Sequence, residues 1–361
     1  MSAASGASFG MARADFAAQI AFLSDARNHP FHPSAVTVVE THLSWVFLTD
    51  QHAYKMKKPV RLDGHDLTRI EEREAQCRNE VTLNRRLTEG VYLGVVPLTV
   101  DPAGALQLDL GGRPVDWLVW MRRLPRERML DRMIARRDVD MAALRACVAM
   151  VSRFYVNAPA VDLAHGDFRA RMAQRVAENA AVLRLPEGGL AADEVERVVR
   201  GQHGFLAAQA QLFDRRASAS RIVEGHGDLR PEHLCLEAPP QVIDCLEFSR
   251  ELRIVDPAEE LGFLALECER LGAPELDAVI FATYRAISGD DPGQPLVHFY
   301  KSVHACVRAK LAIWHLAEPG ARGTEEWTRR AAHYLRLAAQ HLVAATASTG
   351  SSEPARGPRR E

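Results

Sequence analysis

Hydrophobic and polar positions in the first third of the chain alternate in short runs, a pattern typical of half-buried β-strands. The runs are rich in Val, Leu and aromatic residues, and turn residues such as Gly111-Gly112 separate them. They predict strands at Ala35–Glu40, Trp45–Leu48, His52–Met56, Val95–Val100, Leu106–Leu110 and Asp116–Arg122. A helix is predicted from Thr68 to Leu87, with Thr68 and Glu71 as a capping box and Gly90 just past its end.

From Asp140 onward, apolar residues recur with the period of an α-helix. This period predicts helices at about 140–155, 169–184, 192–217, 257–271, 275–288, 295–317 and 324–347. Short strands are predicted between them at Arg221–Val223, Leu234–Leu236 and Gln241–Cys245. The pattern therefore predicts an α+β protein whose β-rich part gives way to a helical part near residue 125. The small polar residues at 1–12 and 347–361 predict a flexible N-terminus and a disordered tail.

Composition and charge narrow the classes of function. The 361 residues carry 45 basic and 47 acidic side chains, a formal net charge of −2. A near-neutral chain lacks the basic surface typical of nucleic-acid binding, and no apolar run approaches the roughly 18–20 residues that span a bilayer. The six cysteines form no CxxC pair, and the first residues lack the features of a signal peptide. We therefore expect a cytoplasmic protein that binds neither nucleic acid nor membrane; nothing indicates its oligomeric state.

The lysines are few and clustered. Only five of the 45 basic residues are lysines, and three of these are Lys55, Lys57 and Lys58. Because side chains alternate along a strand, Lys55 and Lys57 share one face of the strand that begins at His52. The following helix offers Glu80, whose neighbours at helical spacing are apolar, an unusual position for a carboxylate that has no cation beside it. A solvated helix glutamate is the alternative interpretation of Glu80.

A second group of candidate residues lies in the stretch from Glu224 to Phe248. It contains His226-Gly-Asp228, two predicted strands and Asp244 at the end of the second strand. Two carboxylates presented in this way suit phosphoryl transfer, in which one positions or deprotonates a hydroxyl and the other holds a divalent metal. His165-Gly-Asp167 repeats the tripeptide but leads directly into a helix, which indicates a helix-entry turn capped by Asp167.

The order of these residues resembles that of a known family. Lys55, Glu80, a hinge-like segment at Trp120–Leu124, His226-Gly-Asp228 and Asp244 follow one another as in the protein-kinase-like fold, and resemble the aminoglycoside phosphotransferase family within it. Residues 40–48, 53–60, 84–87 and 92–97 further resemble an uncharacterised bacterial branch whose members often carry a second, P-loop ATPase domain. No GxxxxGK[ST] motif is present, so a stand-alone form is expected.

The resemblance implies a two-lobe architecture and a nucleotide site. The expected parts are a small β-rich N-lobe at 13–124, with the nucleotide-binding sheet and one long helix, and a mostly helical C-lobe at 125–346 with a catalytic hairpin. Lys55 matches the phosphate-binding lysine and Glu80 its partner, with Lys57 as the alternative lysine. Ser44 falls in the loop expected to cover the phosphates. Met121 and Arg123 would offer main-chain groups to the adenine of ATP.

The resemblance also assigns the chemistry. Asp228 matches the catalytic aspartate and Asp244 the metal-binding one, which implies ATP and Mg²⁺ as cofactors and a small molecule as the phosphate acceptor. His233 stands where the family has a metal-binding Asn, and imidazole suits Mg²⁺ less well than an oxygen ligand, so Mn²⁺ is the alternative ion. Arg230 matches a position that can contact the γ-phosphate; a salt bridge to Glu232 or another nearby acid is the alternative.

Three hypotheses follow. The first is an ATP-dependent phosphotransferase that acts on a hydroxyl of an unidentified small molecule. The second, motivated by His233 and by the absence of glycine from residues 41–45, is a weak or inactive nucleotide-binding regulatory module. The third, a metal-dependent hydrolase built on the two His-Gly-Asp tripeptides, leaves Lys55 and Glu80 unexplained. Asp256, before Pro257, is expected to cap a helix and to tie it to the catalytic loop.

Overall fold

A computed structural model describes residues 16–62, 65–108, 111–317 and 323–347. The described residues form two compact units, one within Met1–Arg132 and Glu232–Arg250 and the other within Met133–Pro231 and Glu251–Glu361. The segment 232–250 thus belongs to the first unit, whereas the sequence assigned it to the helical lobe. The expected lobe limits at 124/125 remain a prediction. The expected flexible N-terminus and all of the expected tail after Ala347 lie outside the described residues.

The first unit is built on a six-stranded antiparallel sheet with the strand order β1-β2-β3-β8-β6-β7. Its strands are β1 (Thr37–Glu40), β2 (Ser44–Leu48), β3 (His52–Lys57), β6 (Tyr92–Val100), β7 (Leu106–Gln107) and β8 (Arg113–Arg122). Two-stranded pairs add β4 (Arg61–Leu62) with β5 (His65–Asp66) and β10 (Leu234–Cys235) with β11 (Gln241–Val242). Helix α1 includes residues 16–24, α2 is Ile70–Asn84, and α3 starts at the end of this unit.

Helix α2 starts differently from the prediction. Its N-cap is Arg69, which makes no side-chain capping bond, and the helix ends at Asn84 rather than Leu87. The Thr68 hydroxyl instead donates to the Asp66 carboxylate, which also accepts the Thr68 backbone N–H at 3.2 Å. The predicted capping box is therefore wrong, because a local Asx turn competes for the same hydroxyl.

The second unit is mostly helical, as the periodicity predicts. Its helices are α3 (Leu130–Arg136), α4 (Met141–Asn157), α5 (Asp167–Leu183), α6 (Ala192–Ala208), α7 (Ala210–Ser218), α8 (Arg250–Arg253), α9 (Pro257–Arg270), α10 (Leu276–Ser288), α11 (Gln294–Ala317) and α12 (Thr324–Ala347), with α3 and α8 at its limits. Strands β9 (Val223–Glu224) and β12 (Ile254–Val255) pair within it. In the described part of the chain, no helix is long and apolar enough to cross a membrane.

Asp256 organises the second unit. Its carboxylate is fully buried and caps α9 by accepting the N–H of Ala258 at 2.9 Å. The same carboxylate accepts two bonds from the Arg216 guanidinium, at 2.6 and 2.7 Å, and one from the Tyr300 hydroxyl at 3.1 Å. Arg216 in turn binds Asp290. The predicted cap is confirmed, but the side chain ties α9 to α7 and α11.

We expect Asp256→Ala to lower the free energy of unfolding by about 3–5 kcal/mol, because the buried Arg216 charge loses a partner together with the cap. The matched control is Asp140→Ala, which removes an exposed cap from α4 and should cost only about 1 kcal/mol. Urea denaturation of both variants measures the difference. Equal losses in the two variants would contradict the role given to the Arg216 pair.

Candidate active site

Two lysines of strand β3, Lys55 and Lys57, lie on the same face of the sheet. Lys55 and Lys57 are both on the face that meets α2, while Met56 between them packs on the opposite face with Phe47 and Leu118. This is the alternation that the sequence predicts for a strand. Lys58, the third lysine of the cluster, pairs with Glu40 at 2.6 Å and lies over the Trp45 ring, outside the group formed by Lys55 and Lys57.

Glu80 on α2 receives both lysines. The Lys55 Nζ lies 2.9 Å from Glu80 Oε1, and the Lys57 Nζ donates to Glu80 Oε2. Each ammonium also binds a second carboxylate: Lys55 lies 2.6 Å from Asp244 Oδ1, and Lys57 donates to Glu247 Oε1. Glu80 itself is fully buried. The carboxylate is thus held in the core of the first unit by ion pairs on each of its oxygens.

The electrostatics keep these groups charged. Burial opposes the charged form of Lys55, but Asp244 and Glu80 outweigh it and raise the pKa of Lys55 well above its usual value. Partial burial likewise opposes ionisation of Asp244, yet Lys55 and His233 hold the pKa of its carboxyl well below the usual range. Both groups therefore remain ionised at neutral pH, and their contact is an ion pair rather than a neutral hydrogen bond.

The chain around Asp244 is fastened to α2 and β6. The Asp244 backbone N–H donates to the Tyr92 hydroxyl at 3.1 Å, and the next N–H, of Cys245, donates to Asn84 Oδ1 at 2.9 Å. Asp244 has a left-handed backbone with φ of 63°, a conformation that Asp tolerates better than most residues. Asn84 and Tyr92 lie in the segments that carried the family resemblance, but their contacts with Asp244 could not be read from the sequence.

His233 and Asp244 present a nitrogen and an oxygen to the same region. His233 Nε2 lies 3.6 Å from Asp244 Oδ2, while the other oxygen of Asp244 is engaged by Lys55. Within the described ranges, no group of three or more His, Cys, Asp or Glu side chains is arranged to hold a metal. The pair offers two donors, which suits an ion whose remaining ligands are phosphate oxygens and water better than one enclosed by protein.

An apolar surface lies in the same unit. Ala53 and Met121 are buried in a cluster against which Val46, Leu124 and Ile243 pack while partly exposed. Met121 belongs to β8, between β3 and β6. The backbone N–H of Arg123, two residues after Met121, donates to the Gln51 carbonyl at 2.8 Å. The Arg123 guanidinium donates to the carbonyl of Thr49 at 2.6 Å.

The turn between β1 and β2 is closed by its own side chains. The Ser44 backbone N–H donates to the Thr41 hydroxyl, and that hydroxyl donates to the Ser44 carbonyl, both at 3.0 Å. Ser44 is only 1% exposed. Its amide and side chain are therefore used or enclosed within the turn in this conformation, and a phosphate contact from Ser44, which stays a prediction, would require the turn to open.

The His226-Gly-Asp228 turn belongs to the second unit and is held by Glu260 of α9. The buried Glu260 carboxylate accepts the backbone N–H groups of His226, at 3.0 Å, and Gly227, and the Tyr155 hydroxyl at 2.6 Å. Gly225 is required beside it, because a Cβ there would lie 2.6 Å from Glu260 Oε2. The sequence predicts that Asp256 ties α9 to this turn; this is wrong, because Glu260, one helical turn later, makes the bonds instead.

Asp228 and Arg230 are paired. Arg230 Nε and Nη2 lie 3.0 and 2.9 Å from Asp228 Oδ2, so a nearby acid does bind Arg230, and that acid is the candidate catalytic residue itself. The Asp228 side chain is 28% exposed, and the Arg230 side chain is 18% exposed. Arg308 lies 3.3 Å from the fully buried Glu267.

Comparisons with known proteins place this geometry in context. No family model matches the chain. Uncharacterised proteins of Mycobacterium tuberculosis and Mycobacterium bovis are each 33% identical to it over 336 residues. That match covers 89% of this chain and 64% of each relative, so the chain spans a little less than two thirds of the relatives' length.

Three solved structures match nearly the whole chain. A choline/ethanolamine kinase family protein from Mesorhizobium loti has a TM-score of 0.50 and 17% identity, covering 91% of this chain and 98% of that one. The GDP complex of aminoglycoside 2′-phosphotransferase-IIIa has a TM-score of 0.51 and 14% identity, and the match covers 87% of this chain and 94% of that one. Choline kinase from Cryptosporidium parvum has a TM-score of 0.50 and 11% identity, and the match covers 91% of this chain and 99% of that one. The chain has the protein-kinase-like fold.

The protein-kinase-like fold confirms the architecture that the sequence resemblance implied. The structure brings Lys55, Lys57, Glu80, His233 and Asp244 together within the first unit, and Asp228 with Arg230 within the second. Their roles stay predictions. Helix α5 begins at Asp167 with Gly166 as its N-cap, so the expected cap at Asp167 is wrong by one residue.

We expect Glu260→Gln to change how stability depends on pH. Burial raises the pKa of Glu260, so the folded state binds its proton more tightly than the unfolded state. The contribution of Glu260 to the free energy of unfolding is therefore fullest below its ordinary pKa of about 4.3 and falls as pH rises through the raised folded value. The unfolding free energy of wild type minus that of Glu260→Gln should decrease as pH rises above about 4. A pH-independent difference would contradict this assignment.

Proposed function

We propose that the protein is a kinase that transfers the γ-phosphoryl group of ATP to a hydroxyl of a small molecule. The observation that carries the proposal is the contact of the Lys55 ammonium with both Glu80 and Asp244, at 2.9 and 2.6 Å. A lysine held between a buried helix carboxylate and a partly exposed aspartate can meet phosphate without moving far. Phosphoryl transfer is catalysed mainly by such positioning and charge neutralisation.

The nucleotide is assigned to the first unit. The partly exposed apolar side chains of Val46, Leu124 and Ile243 beside Ala53 and Met121 form a surface suited to a purine ring. Lys55 lies on β3, two residues after Ala53, and would contact the phosphates. The solved structure of an aminoglycoside phosphotransferase with the same fold contains GDP, which supports a nucleotide as the phosphate donor.

His233 and Asp244 would hold a divalent ion, which would neutralise phosphate charge when it is bound. Asp244 supplies the anionic oxygen that Mg²⁺ prefers, and the imidazole of His233 makes Mn²⁺ the better match for the second donor. Because Lys55 engages one oxygen of Asp244, the other oxygen, which faces His233, is the one assigned to the ion.

Asp228 is assigned to the acceptor. Its carboxylate would accept a hydrogen bond from the attacking hydroxyl and take its proton, and the contact with Arg230 fixes the orientation of that carboxylate. Glu260 fixes the turn that carries Asp228 through the N–H groups of His226 and Gly227. Only helix α8 and strand β12 lie between Phe248 and Asp256, which favours a small acceptor over a protein substrate.

A second candidate function is that of a nucleotide-binding regulatory module. His233 favours it, because a nitrogen donor near Asp244 weakens the case for an efficient Mg²⁺ site. A nucleotide-induced rise in melting temperature with Mg²⁺ or Mn²⁺, without release of ADP on a broad panel of hydroxyl-bearing metabolites, would support this module over the kinase. The absence of a shift with either ion would contradict both candidates.

We expect Asp228→Asn to lower the kcat for ADP release by about 10²–10⁴-fold, since the hydroxyl loses its proton acceptor, while nucleotide binding is retained. Lys55→Met should weaken the binding of a fluorescent ATP analogue as well as turnover. Lys58→Met is the matched control, because Lys58 pairs with Glu40 outside the Glu80 network. Unchanged turnover in Asp228→Asn would contradict the role proposed for Asp228.

A further inference from the structure

The role proposed for Lys55 leaves a second ion pair of the same network unused. The Lys57 side chain is buried, and its Nζ lies between Glu80 Oε2 and Glu247 Oε1. The proposed function gives neither Lys57 nor Glu247 a contact with the nucleotide. Resting on that function, we propose that Lys57 and Glu247 are positioning residues that hold Glu80 and the segment around Asp244 in place when Lys55 turns to the phosphates.

Exposure separates the two lysines. The Lys55 side chain is 13% exposed and its partner Asp244 is 43% exposed, so this pair reaches the accessible surface of the first unit. The Lys57 side chain is 2% exposed and its partners Glu80 and Glu247 are 0% and 11% exposed. Lys57 is therefore not a second phosphate lysine, which the sequence alone had left open; it is an internal counter-charge.

The division of Glu80 between the lysines explains why two are needed. Each oxygen of Glu80 serves one ammonium, Oε1 serving Lys55 and Oε2 serving Lys57. When Lys55 shifts towards a phosphate, Glu80 would lose the ion pair at Oε1 while its side chain remains fully buried. Lys57 then keeps the carboxylate oriented through Oε2, so that Lys55 retains a fixed partner.

Glu247 connects Lys57 to the segment that carries Asp244, the candidate metal ligand. It follows Asp244 by three residues, and its contact with Lys57 fastens the segment at a further point, in addition to the backbone bonds of Asp244 and Cys245 to Tyr92 and Asn84. The network holds two ammonium groups against the three carboxylates of Glu80, Asp244 and Glu247. Without Lys57, Glu80 and Glu247 each lose an ion-pair partner, and the orientation of the segment around Asp244 is less firmly fixed.

A double-mutant cycle tests the proposal. We expect Lys57→Met and Glu247→Gln each to lower the kcat for ADP release from ATP by about 10- to 100-fold. The dissociation constant of a fluorescent ATP analogue should change less than about threefold, because neither side chain touches the nucleotide. The double variant should be no slower than the slower single variant, since both substitutions break one unit. Lys57→Arg, which keeps the charge, should recover part of the kcat.

The controls separate this proposal from the function on which it rests. Lys58→Met should match wild type, because Lys58 lies outside the network. If wild type turns over ATP and Lys57→Met behaves like Lys58→Met, or if the double variant loses the product of the two single losses, the positioning role is overturned alone. If wild type binds no nucleotide, both proposals fall. Should Lys57→Met fail to fold, the nearly isosteric Glu247→Gln decides the question by the same split between kcat and affinity.

Discussion

The fully buried carboxylate of Glu80 is the constraint on which the first unit depends. Removing a carboxylate from water costs several kcal/mol unless cations and hydrogen bonds compensate it. Lys55 and Lys57 supply that compensation from adjacent same-face positions of β3, and each extends the network to a further carboxylate near the β10–β11 pair. One helix residue thereby links the sheet, α2 and the segment that carries Asp244.

The same principle recurs in the second unit with different partners. Asp256, the N-cap of α9, and Glu260, in the first turn of that helix, are buried carboxylates, and each accepts bonds from several donors. Asp256 fixes the helix against Arg216 and Tyr300, while Glu260 fixes the turn that carries Asp228. In both units a buried acid with several donors positions the chain near a more exposed acid, Asp244 or Asp228, so that these two candidate site carboxylates are held in place by the fold.

The sequence predicted those features that depend on local periodicity. Strand alternation put Lys55 and Lys57 on one face, and the apolar neighbours of Glu80 indicated that it needed a cation. It could not reveal that Glu80 takes both lysines, or that Glu247 and Glu260 complete the two networks, because those contacts join residues far apart in the chain. The failed capping box at Thr68 has a local cause: Asp66, two residues earlier, binds the hydroxyl first.

The central claim is that Lys55, held by Glu80 and Asp244, is the lysine that meets nucleotide phosphate. Labelling the intact protein with an acyl-phosphate derivative of ATP, which acylates a lysine next to the bound phosphates, followed by mass spectrometric mapping, tests it most directly. The account predicts acylation of Lys55 that excess ATP suppresses, with Lys57 and Lys58 unlabelled. ATP-protected labelling of Lys57 in preference to Lys55, or no ATP-protected lysine at all, would contradict it.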